Sequence, residues 1–358
     1  MPLLRLPPET LAQIFGELGS SFFHEDLGRL TICKRWFEFA LPVCVKRVTL
    51  SQETLRSLVA SGAAARSFPL ERNLEVLDLK LKGYHDPGSS TFEPQQAAQE
   101  SNALDASASN EASDGISVKT WVDVLDDDLA QLAVIVQKSR RLRTLRIRAW
   151  SAPSLDPFDS SENYLSLPTM RSFLSVENLS VLVLDLPDVF PNPSGEQGNG
   201  LHICPAIGAL LRTLKTLHIR MRSICPDVLK PRDSDDSLQL RVVVINLSLM
   251  TNQPGITSAA HARRCGSQGL RGLLRLKADM QKQGQALATR MATPKVMKIL
   301  THSLPNFDHL SLDVLTGKTT APGDTGWDED GEVVIADPEP ESEHTDDDST
   351  SSITSTDD

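Results

Sequence analysis

Two pairs of metal-binding residue types stand close together in the chain. His202 is followed by Cys204, and His261 is followed by Cys265. An imidazole nitrogen and a thiolate can both bind Zn2+, but neither spacing matches a common zinc motif, and Cys225 stands alone before a proline. The better interpretation is that these cysteines are buried structural residues. No metal ion and no other cofactor is therefore expected.

Three consecutive carboxylates, Asp126 to Asp128, are of a type that serves in acid–base catalysis. They stand where a helical pattern begins, so helix capping and compensation of the helix dipole explain them without chemistry. The sequence contains no Gly-rich phosphate loop, no Gly-x-Ser-x-Gly and no His-Glu-x-x-His. The chain is therefore expected not to be an enzyme.

Basic side chains recur between the apolar positions of several predicted strands. Because alternate residues of a strand face opposite sides, we expect these side chains to form a surface for a protein substrate, favouring an acidic or phosphorylated one. The candidates are Lys80, Arg143, Arg146, Arg148, Lys215, His218, Arg220 and Arg222. The alternative is a solvated outer face, covered by the acidic tail of the chain itself.

The first forty-odd residues carry the pattern of a small helical bundle. An apolar stripe at i, i+3, i+4 and i+7 comprises Leu11, Ile14, Phe15 and Leu18. Pro7 and Pro8 suit a helix start, and a break is expected at Gly19. Segments around Leu27 and Trp36 predict two further short helices. A bundle of this size has little core of its own and favours completion by a partner.

Within residues 4–45, the order Leu-Pro-x-Glu, Leu-x-x-Ile-Phe, Asp-Leu and Cys-Lys-x-Trp resembles the F-box. Through this motif, substrate receptors bind the Skp adaptor of cullin–RING ubiquitin ligases. The resemblance implies the Skp adaptor as a partner and, through it, a cullin. Family positions at the adaptor interface or in the core of the motif correspond to Leu6, Pro7, Ile14, Leu27, Ile32, Cys33 and Trp36. An ordinary helical hairpin is the alternative.

One short pattern, apolar-x-x-apolar-x-apolar, returns along the rest of the chain. Its last residues alternate with period two, as in a strand, and helix-like segments precede several copies. The copies begin at Val45, Leu74, Leu142, Leu179, Leu214, Val244 and Phe307. One helix and one strand in roughly every thirty residues is typical of a repeat solenoid with parallel strands. Val296, Met297 and Leu300 are assigned to a helical segment before the last copy.

This region resembles the degenerate leucine-rich repeats that follow the F-box in fungal F-box proteins. The Asn or Cys expected at the ninth repeat position occurs only once, as Asn252. The predicted fold class is therefore α/β: a short N-terminal three-helix F-box, then an irregular leucine-rich-repeat-like solenoid of helices and parallel strands. An α/β domain with a parallel sheet is the competing interpretation.

The net charge of −11 is unevenly distributed. Residues 319–358 hold 14 of the 47 acidic residues and no Lys or Arg, so elsewhere 36 basic residues face 33 acidic ones. A near-neutral body argues against a nucleic-acid surface. No secretory signal or membrane-spanning run is visible, and the five cysteines are scattered. A cytoplasmic or nuclear location is therefore expected, with neither nucleic acid nor membrane as a partner.

The predicted organisation has five parts. Residues 1–45 form the F-box, 46–83 the first repeat strands and 118–317 the leucine-rich-repeat-like domain. Residues 84–117 are an insertion rich in Ser, Ala, Asn and Gln, and residues 318–358 are an acidic tail. Both segments are expected to be disordered, because they have too few large apolar residues to form a core.

The two halves together predict a substrate receptor of a Skp–cullin–F-box ubiquitin ligase. Such a receptor holds its substrate at a fixed offset from ubiquitin transfer and needs no catalytic group of its own. The alternative is a repeat scaffold outside any ligase, which uses the helical bundle for protein–protein interaction. Only the receptor should bring a cullin along with the adaptor.

Overall fold

The computed structural model describes residues 5–62, 68–83, 111–150, 164–186, 189–190, 202–232, 237–249, 261–266, 272–302, 309–321 and 327–328. These residues form a mixed α/β structure built on a large, mostly parallel sheet. The helices are α1 (Pro8–Glu25), α2 (Lys34–Cys44), α3 (Gln52–Ala60), α4 (Phe68–Asn73), α5 (Glu111–Lys138), α6 (Leu167–Leu174), α7 (Cys204–Leu210) and α8 (Gly272–Ala288).

The described strands include one for each copy of the repeated apolar pattern. They are β1 (Arg47–Ser51), β2 (Val76–Lys82), β3 (Thr144–Trp150), β4 (Leu165–Ser166), β5 (Val181–Leu186), β6 (Val189–Phe190), β7 (Thr216–Met221), β8 (Ser223–Ile224), β9 (Val242–Asn246), β10 (Arg263–Arg264), β11 (Val296–His302), β12 (His309–Asp313) and β13 (Thr319–Thr320). A strand lies within or beside each copy of the pattern, because alternating apolar residues suit a strand with one buried face.

The main sheet has nine strands in the order β1-β2-β3-β5-β7-β9-β11-β12-β13. Neighbours from β1 to β11 are parallel, and each new strand is added at the same side of the growing sheet. The short strands form two separate pairs, β10 with β8 and β4 with β6.

Helices α3 and α5 to α8 contribute side chains to one large apolar cluster with one face of this sheet. The strands supply its rows of Leu and Ile, such as Ile147, Leu184 and Ile219, which lie side by side in register. From the helices come Leu55, Leu129, Met170, Ile207 and Leu276. We call this side of the sheet the apolar face.

The last strands correct the prediction in two respects. Residues 296–302 form β11 and not a helix. A short apolar run is compatible with the period of a helix and with that of a strand, and here pairing with β9 stabilises the strand. The pairs β11–β12 and β12–β13 are antiparallel, so the prediction of parallel strands fails at this edge. Only six residues separate β11 from β12, and a parallel crossover needs about a dozen or more.

The predicted boundaries of the two polar segments also shift. Helix α5 begins at Glu111, so the last seven residues of the 84–117 insertion are helical; residues 84–110 lie outside the described residues. Strand β13 and the pair Trp327 and Asp328 fall within the 318–358 tail, whose remaining residues beyond 321 lie outside the described part.

The early start of α5 changes the role of the three carboxylates, which do not stand where the helix begins. The Asp126 carboxylate accepts hydrogen bonds from the hydroxyl groups of Ser166 at 2.5 Å and Thr169 at 2.7 Å. Ser166 in turn caps α6 by accepting from the Thr169 backbone N–H. Burial raises the pKa of Asp128, the most enclosed of the three carboxyl groups. Asp126 therefore links α5 to the start of α6.

The N-terminal bundle consists of α1, a 3₁₀ turn over Leu27–Leu30 and α2. The second of the three predicted helices is therefore this 3₁₀ turn, which the Asp26 side chain caps by accepting from the Gly28 N–H. Helix α1 is kinked at Gly19, where φ is 70°, at the predicted break. Among the described residues, no helix is both long and apolar enough to cross a membrane.

Candidate partner-binding surfaces

The N-terminal bundle has a small apolar core of its own, separate from the large cluster on the sheet. The Phe15 ring packs against those of Phe23 and Trp36, with centroids 5.8 and 4.6 Å apart. The Trp36 indole N–H donates to the Arg29 carbonyl oxygen at 2.5 Å, and the Cys33 sulfur accepts from the Trp36 backbone N–H at 3.4 Å. Trp36 is therefore a core residue that holds the helices of the bundle in place.

The seven residues assigned to adaptor binding differ in how much surface they offer. Leu27 and Ile32 are the most exposed of the large apolar ones, at 61% and 45%. Pro7 is also exposed, whereas Leu6, Ile14 and Cys33 are half-buried. Trp36 is buried in the core just described. The accessible part of the predicted interface is thus centred on the 3₁₀ turn and the residues that lead into α2.

Two further large apolar side chains of the bundle are exposed, Leu18 on α1 and Phe37 on α2. With Leu27 and Ile32 they make up four of the eight large apolar side chains that are exposed among the described residues. A concentration of exposed large apolar side chains in one small part of a protein is typical of an interaction site. The N-terminal bundle is therefore the strongest candidate for an apolar docking surface.

The bundle is joined firmly to the sheet. Only Val45 and Lys46 separate α2 from β1, and the Lys46 carbonyl oxygen accepts the backbone N–H of Glu75, just before β2. The Lys46 ammonium lies 3.2 Å from the Glu75 carboxylate. The His24 ring lies 2.9 Å from the Cys44 carbonyl oxygen and ties the end of α1 to the end of α2. A partner on the bundle is thus held at a defined offset from the sheet.

The side of the sheet opposite the apolar face carries polar residues at matching positions. We call it the polar face and define it by Asp78, Lys80, Arg146, Arg148, Asp185, His218, Arg220 and Asn246. The parallel register places Lys80, Arg148, Asp185, Arg220 and Asn246 in one row across five strands. Within this row the Asp185 carboxylate lies between Arg148 and Arg220.

Arg148 is held by two carboxylates. Its Nη1 donates to both oxygens of Asp78 at 3.2 and 3.3 Å, and its Nε and Nη2 donate to Asp328 at 3.1 and 2.9 Å. Asp78 belongs to the neighbouring strand, whereas Asp328 lies 180 residues away in the acidic tail. The tail thus supplies an acidic group to a predicted substrate-binding arginine.

Arg220 has a similar environment. It forms a bidentate pair with Asp185 of β5, with N–O distances of 2.7 and 2.6 Å. The Trp327 ring lies over its guanidinium group, 5.0 Å from the ring centroid. The buried His218 ring is 6.4 Å from the same indole. Trp327 and Asp328 together therefore cover the centre of the polar face.

The remaining predicted substrate-face residues lie around this centre. Lys80 is exposed on β2, and Arg146 is half-buried on β3. Arg222 follows β7, and burial, followed by the charge of Arg263, lowers the pKa of its guanidinium group. Arg143 and Lys215 precede their strands and are exposed at the amino-terminal edge of the sheet.

Sequence reasoning missed the acidic partners Asp78 and Asp185 and the covering residues Trp327 and Asp328. Asp78 and Asp185 occupy the same outward positions of their strands as the predicted arginines, so strand alternation could have found them. Nothing in the sequence signals the contact of Asp328, because a tail residue has no register with the strands.

The two His–Cys pairs have different surroundings. His202 and Cys204 meet Cys225 and Cys265, with the four ligand atoms within 4.8 Å of one another. The pKa of the Cys225 thiol is lowered, since the Cys204 and Cys265 thiols and the His202 ring hydrogen-bond to its sulfur. His261 instead lies against His302, with ring centroids 5.0 Å apart.

The comparisons with known proteins assign no family to this chain. No model of a known protein family matches it, and no curated protein matches it either.

Proposed function

We propose that the chain is the substrate receptor of a Skp–cullin–F-box ubiquitin ligase. In this role the N-terminal bundle binds the Skp adaptor and the sheet binds a protein substrate. The observation that carries the proposal is the coupling of two unlike surfaces. A bundle with exposed apolar residues and a sheet with a polar face are separated by only two residues, Val45 and Lys46.

The adaptor surface is supported by the exposure of Leu27 and Ile32, which the F-box resemblance assigns to the adaptor interface or the motif core. Large apolar side chains in the centre of an interface lose water on binding and supply most of its stabilisation. Phe15, Phe23 and Trp36 fix the backbone that presents them. The binding surface is therefore pre-organised, which lowers the entropic cost of association.

The solenoid part of the proposal is supported by the strand order. From β1 to β11, the strands of the main sheet lie side by side in the same order in which they occur along the chain. A stacked repeat array gives this order, because each repeat contacts only its neighbours. A doubly wound sheet would instead reverse its order at a switch point. A leucine-rich-repeat-like solenoid fits better than the competing α/β domain.

The polar face is the proposed substrate surface, and an acidic or phosphorylated protein is the class of substrate that fits it. Arg148 and Arg220 present guanidinium groups that are positioned by Asp78 and Asp185. Asp328 already binds Arg148 as an acidic group would, so a substrate has to displace Trp327 and Asp328. The chain itself contributes binding and not catalysis, in the cytosol or the nucleus.

The adaptor test uses exposed residues, so that the fold is preserved. The full-length double variant Leu27→Asp and Ile32→Asp is coexpressed with the Skp adaptor and its cullin. We expect adaptor affinity to fall by at least about tenfold, because two charges would enter an apolar interface. Leu274→Asp is the matched control, since Leu274 is 74% exposed on α8, outside the bundle.

The composition of the complex separates the two functions that the sequence left open. Adaptor and cullin recovered together with the wild-type chain and with Leu274→Asp, but not with the double variant, support the ligase receptor. Adaptor without cullin favours a scaffold outside any ligase. Failure of the wild-type chain to bind the adaptor contradicts the proposal.

A further inference from the structure

Four side chains that can bind a metal converge beside the main sheet. They are His202, Cys204, Cys225 and Cys265, and we call them the Cys3His cluster. The Cys204 and Cys265 sulfur atoms are 3.7 Å apart, and the Cys225 sulfur lies 3.8 Å from His202 Nδ1. All four ligand atoms lie within 4.8 Å of one another.

Local backbone structure brings these residues together. Strands β8 and β10 are parallel, with Ile224 paired to Arg264, and the Cys265 N–H donates to the Ile224 carbonyl oxygen. The residue that follows each strand is a cysteine of the cluster, so Cys225 and Cys265 lie side by side. Their proximity follows from strand register, which no local sequence motif reveals.

Helix α7 brings the other half of the cluster. Cys204 is its first residue, and His202 stands two positions earlier. The helix can approach the 3₁₀ turn over Pro226–Leu229 because it carries Gly208 at the contact. A Cβ atom there would lie 2.5 Å from the carbonyl oxygens of both Asp227 and Lys230. The close approach of α7 to this turn positions Cys204 beside Cys225.

The distances fit a tetrahedral zinc site. Bonds of about 2.3 Å to sulfur and about 2.1 Å to nitrogen place two sulfur ligands about 3.8 Å apart and a sulfur and a nitrogen about 3.6 Å apart. The observed separations of 3.7 and 3.8 Å match these edges closely. A side-chain shift of about 1 Å brings the most distant ligand pair to the same spacing.

The donor set also defines the kind of site. Three thiolates and one imidazole fill all four positions of a tetrahedral zinc, which leaves none for water or a substrate. Cys204 and Cys225 are buried, and Cys265 and His202 are half-buried, so the cluster is enclosed within the fold. Such closed sites are structural, since catalytic zinc sites keep a position open.

We propose that His202, Cys204, Cys225 and Cys265 bind one structural Zn2+ ion. The ion would connect α7, the turn after β8 and the end of β10, which otherwise meet mainly through short strands and apolar contacts. Zinc binding would release the protons of those cysteines that are still thiols, because only a thiolate binds the metal. The proposal is independent of the ligase function.

A disulfide between Cys204 and Cys265 is the main competing use of these thiols. Their sulfur atoms are 3.7 Å apart, and none of the five cysteines forms a disulfide in the structure. A disulfide would also leave His202 and Cys225 beside it without a common role. The convergence of all four ligands favours the metal.

The first test measures zinc in the full-length chain, purified under reducing conditions without chelator. We expect about one zinc per chain by mass spectrometry of the metal. Cys225→Ser and Cys265→Ser should each lose most of it. Cys33→Ser is the matched control, because Cys33 lies in the N-terminal bundle and serine can replace it as the cap of α2. This control should keep the zinc of the wild-type chain.

The second test removes any dependence on whether the variants fold. Zinc is stripped from the wild-type chain with a chelator, and Co2+ is added under anaerobic conditions. Thiolate-to-cobalt charge transfer and intense visible absorption, lost on addition of zinc, would support a tetrahedral sulfur-rich site. A wild-type chain with neither bound zinc nor this cobalt spectrum overturns the proposal. So does unchanged zinc content in Cys225→Ser, or free-thiol counts that show a Cys204–Cys265 disulfide instead.

Discussion

The two faces of the main sheet are built from the same strands but are stabilised in different ways. On the apolar face, Ile147, Leu184 and Ile219 lie side by side and pack under the helices, so any apolar side chain of suitable size fits. On the polar face, Arg148 and Arg220 depend on particular carboxylates placed by register. The apolar face therefore accepts different apolar side chains and contributes most to stability. The polar face requires particular charged partners and is suited to recognition.

The largest expected effect comes from a cavity in the apolar face. Leu184 is fully buried in β5, at the middle of the sheet. We expect Leu184→Ala to lower the free energy of unfolding by about 3 to 5 kcal/mol, through lost transfer free energy and the cavity left behind. Chemical denaturation of the full-length chain measures the change.

Lys80→Ala is the control for the opposite face, because Lys80 is exposed on β2. Its effect should stay within about 0.5 kcal/mol. Equal losses for the two variants would show that the faces do not differ as described.

The second prediction concerns a histidine on the polar side of β11. His302 is buried, its ring lies 3.1 Å from the Ser248 hydroxyl, and its pKa is lowered to about 4 by burial and by the neighbouring His309 and His261. The unfolded chain, with the ordinary value of 6.5, therefore binds the extra proton first. The contribution of His302 to the free energy of unfolding should be fully present above about pH 6.5. It should fall by about 1.4 kcal/mol per pH unit towards about pH 4, a total of about 3 kcal/mol.

His302→Gln tests this directly, since glutamine stays neutral throughout the range. Denaturation midpoints measured across it should fall less steeply for His302→Gln than for the wild-type chain. Identical slopes for the two chains would mean that His302 does not titrate as expected.

The third prediction concerns the contact between α7 and the turn after β8. The Cβ of Gly208→Ala would meet two backbone carbonyl oxygens at 2.5 Å, and backbone cannot rotate away as a side chain can. We expect a loss of about 1 to 3 kcal/mol in the free energy of unfolding. Gly16→Ala in α1 is the control, because its Cβ has no neighbour within 4 Å. That change should be neutral or slightly stabilising, as alanine favours a helix; equal destabilisation would contradict the close contact.

The sequence predicted the repeated strands because their signal is local. Each strand of the apolar face alternates within a few residues, so Leu182 and Leu184 are visible as a pair without knowledge of their neighbours. Strand β11 was missed because Val296, Met297 and Leu300 satisfy a helical period as well. Once β11 was assigned to a helix, the antiparallel pairing with β12 could not be predicted.

The candidate sites were less predictable because they depend on contacts between distant residues. Cys204 and Cys265 are 61 residues apart, and Asp78 and Arg148 are 70 apart. Strand pairing brings Asp78 close to Arg148, and the packing of α7 against the turn after β8 brings Cys204 to the cluster, so both contacts depend on the packing of the whole fold. Residue types alone therefore indicated basic and metal-binding candidates, but not which of them meet.

The smallest expected change in stability belongs to the cover of the polar face. Asp328→Asn removes a partly exposed ion pair with Arg148, so the free energy of unfolding should change by less than about 1 kcal/mol. Asp78 still binds Arg148, but one side of its guanidinium group becomes available to another acid. We therefore expect tighter binding of a labelled polyglutamate probe, by about two- to fivefold in low salt, measured by fluorescence anisotropy.

Asp123→Asn is the charge-matched control, because Asp123 is exposed on α5, on the helical side of the sheet. It removes the same negative charge without touching the polar face, so any gain it gives measures long-range electrostatics alone. Arg148→Gln combined with Asp328→Asn should abolish the gain, since the acceptor site itself is then lost. A gain of equal size in Asp123→Asn, or one that survives Arg148→Gln, would show that Asp328 does not compete for this face. A gain confined to Asp328→Asn would mean that the tail occupies the proposed substrate site, and that the Asp328 carboxylate competes with an acidic ligand for Arg148.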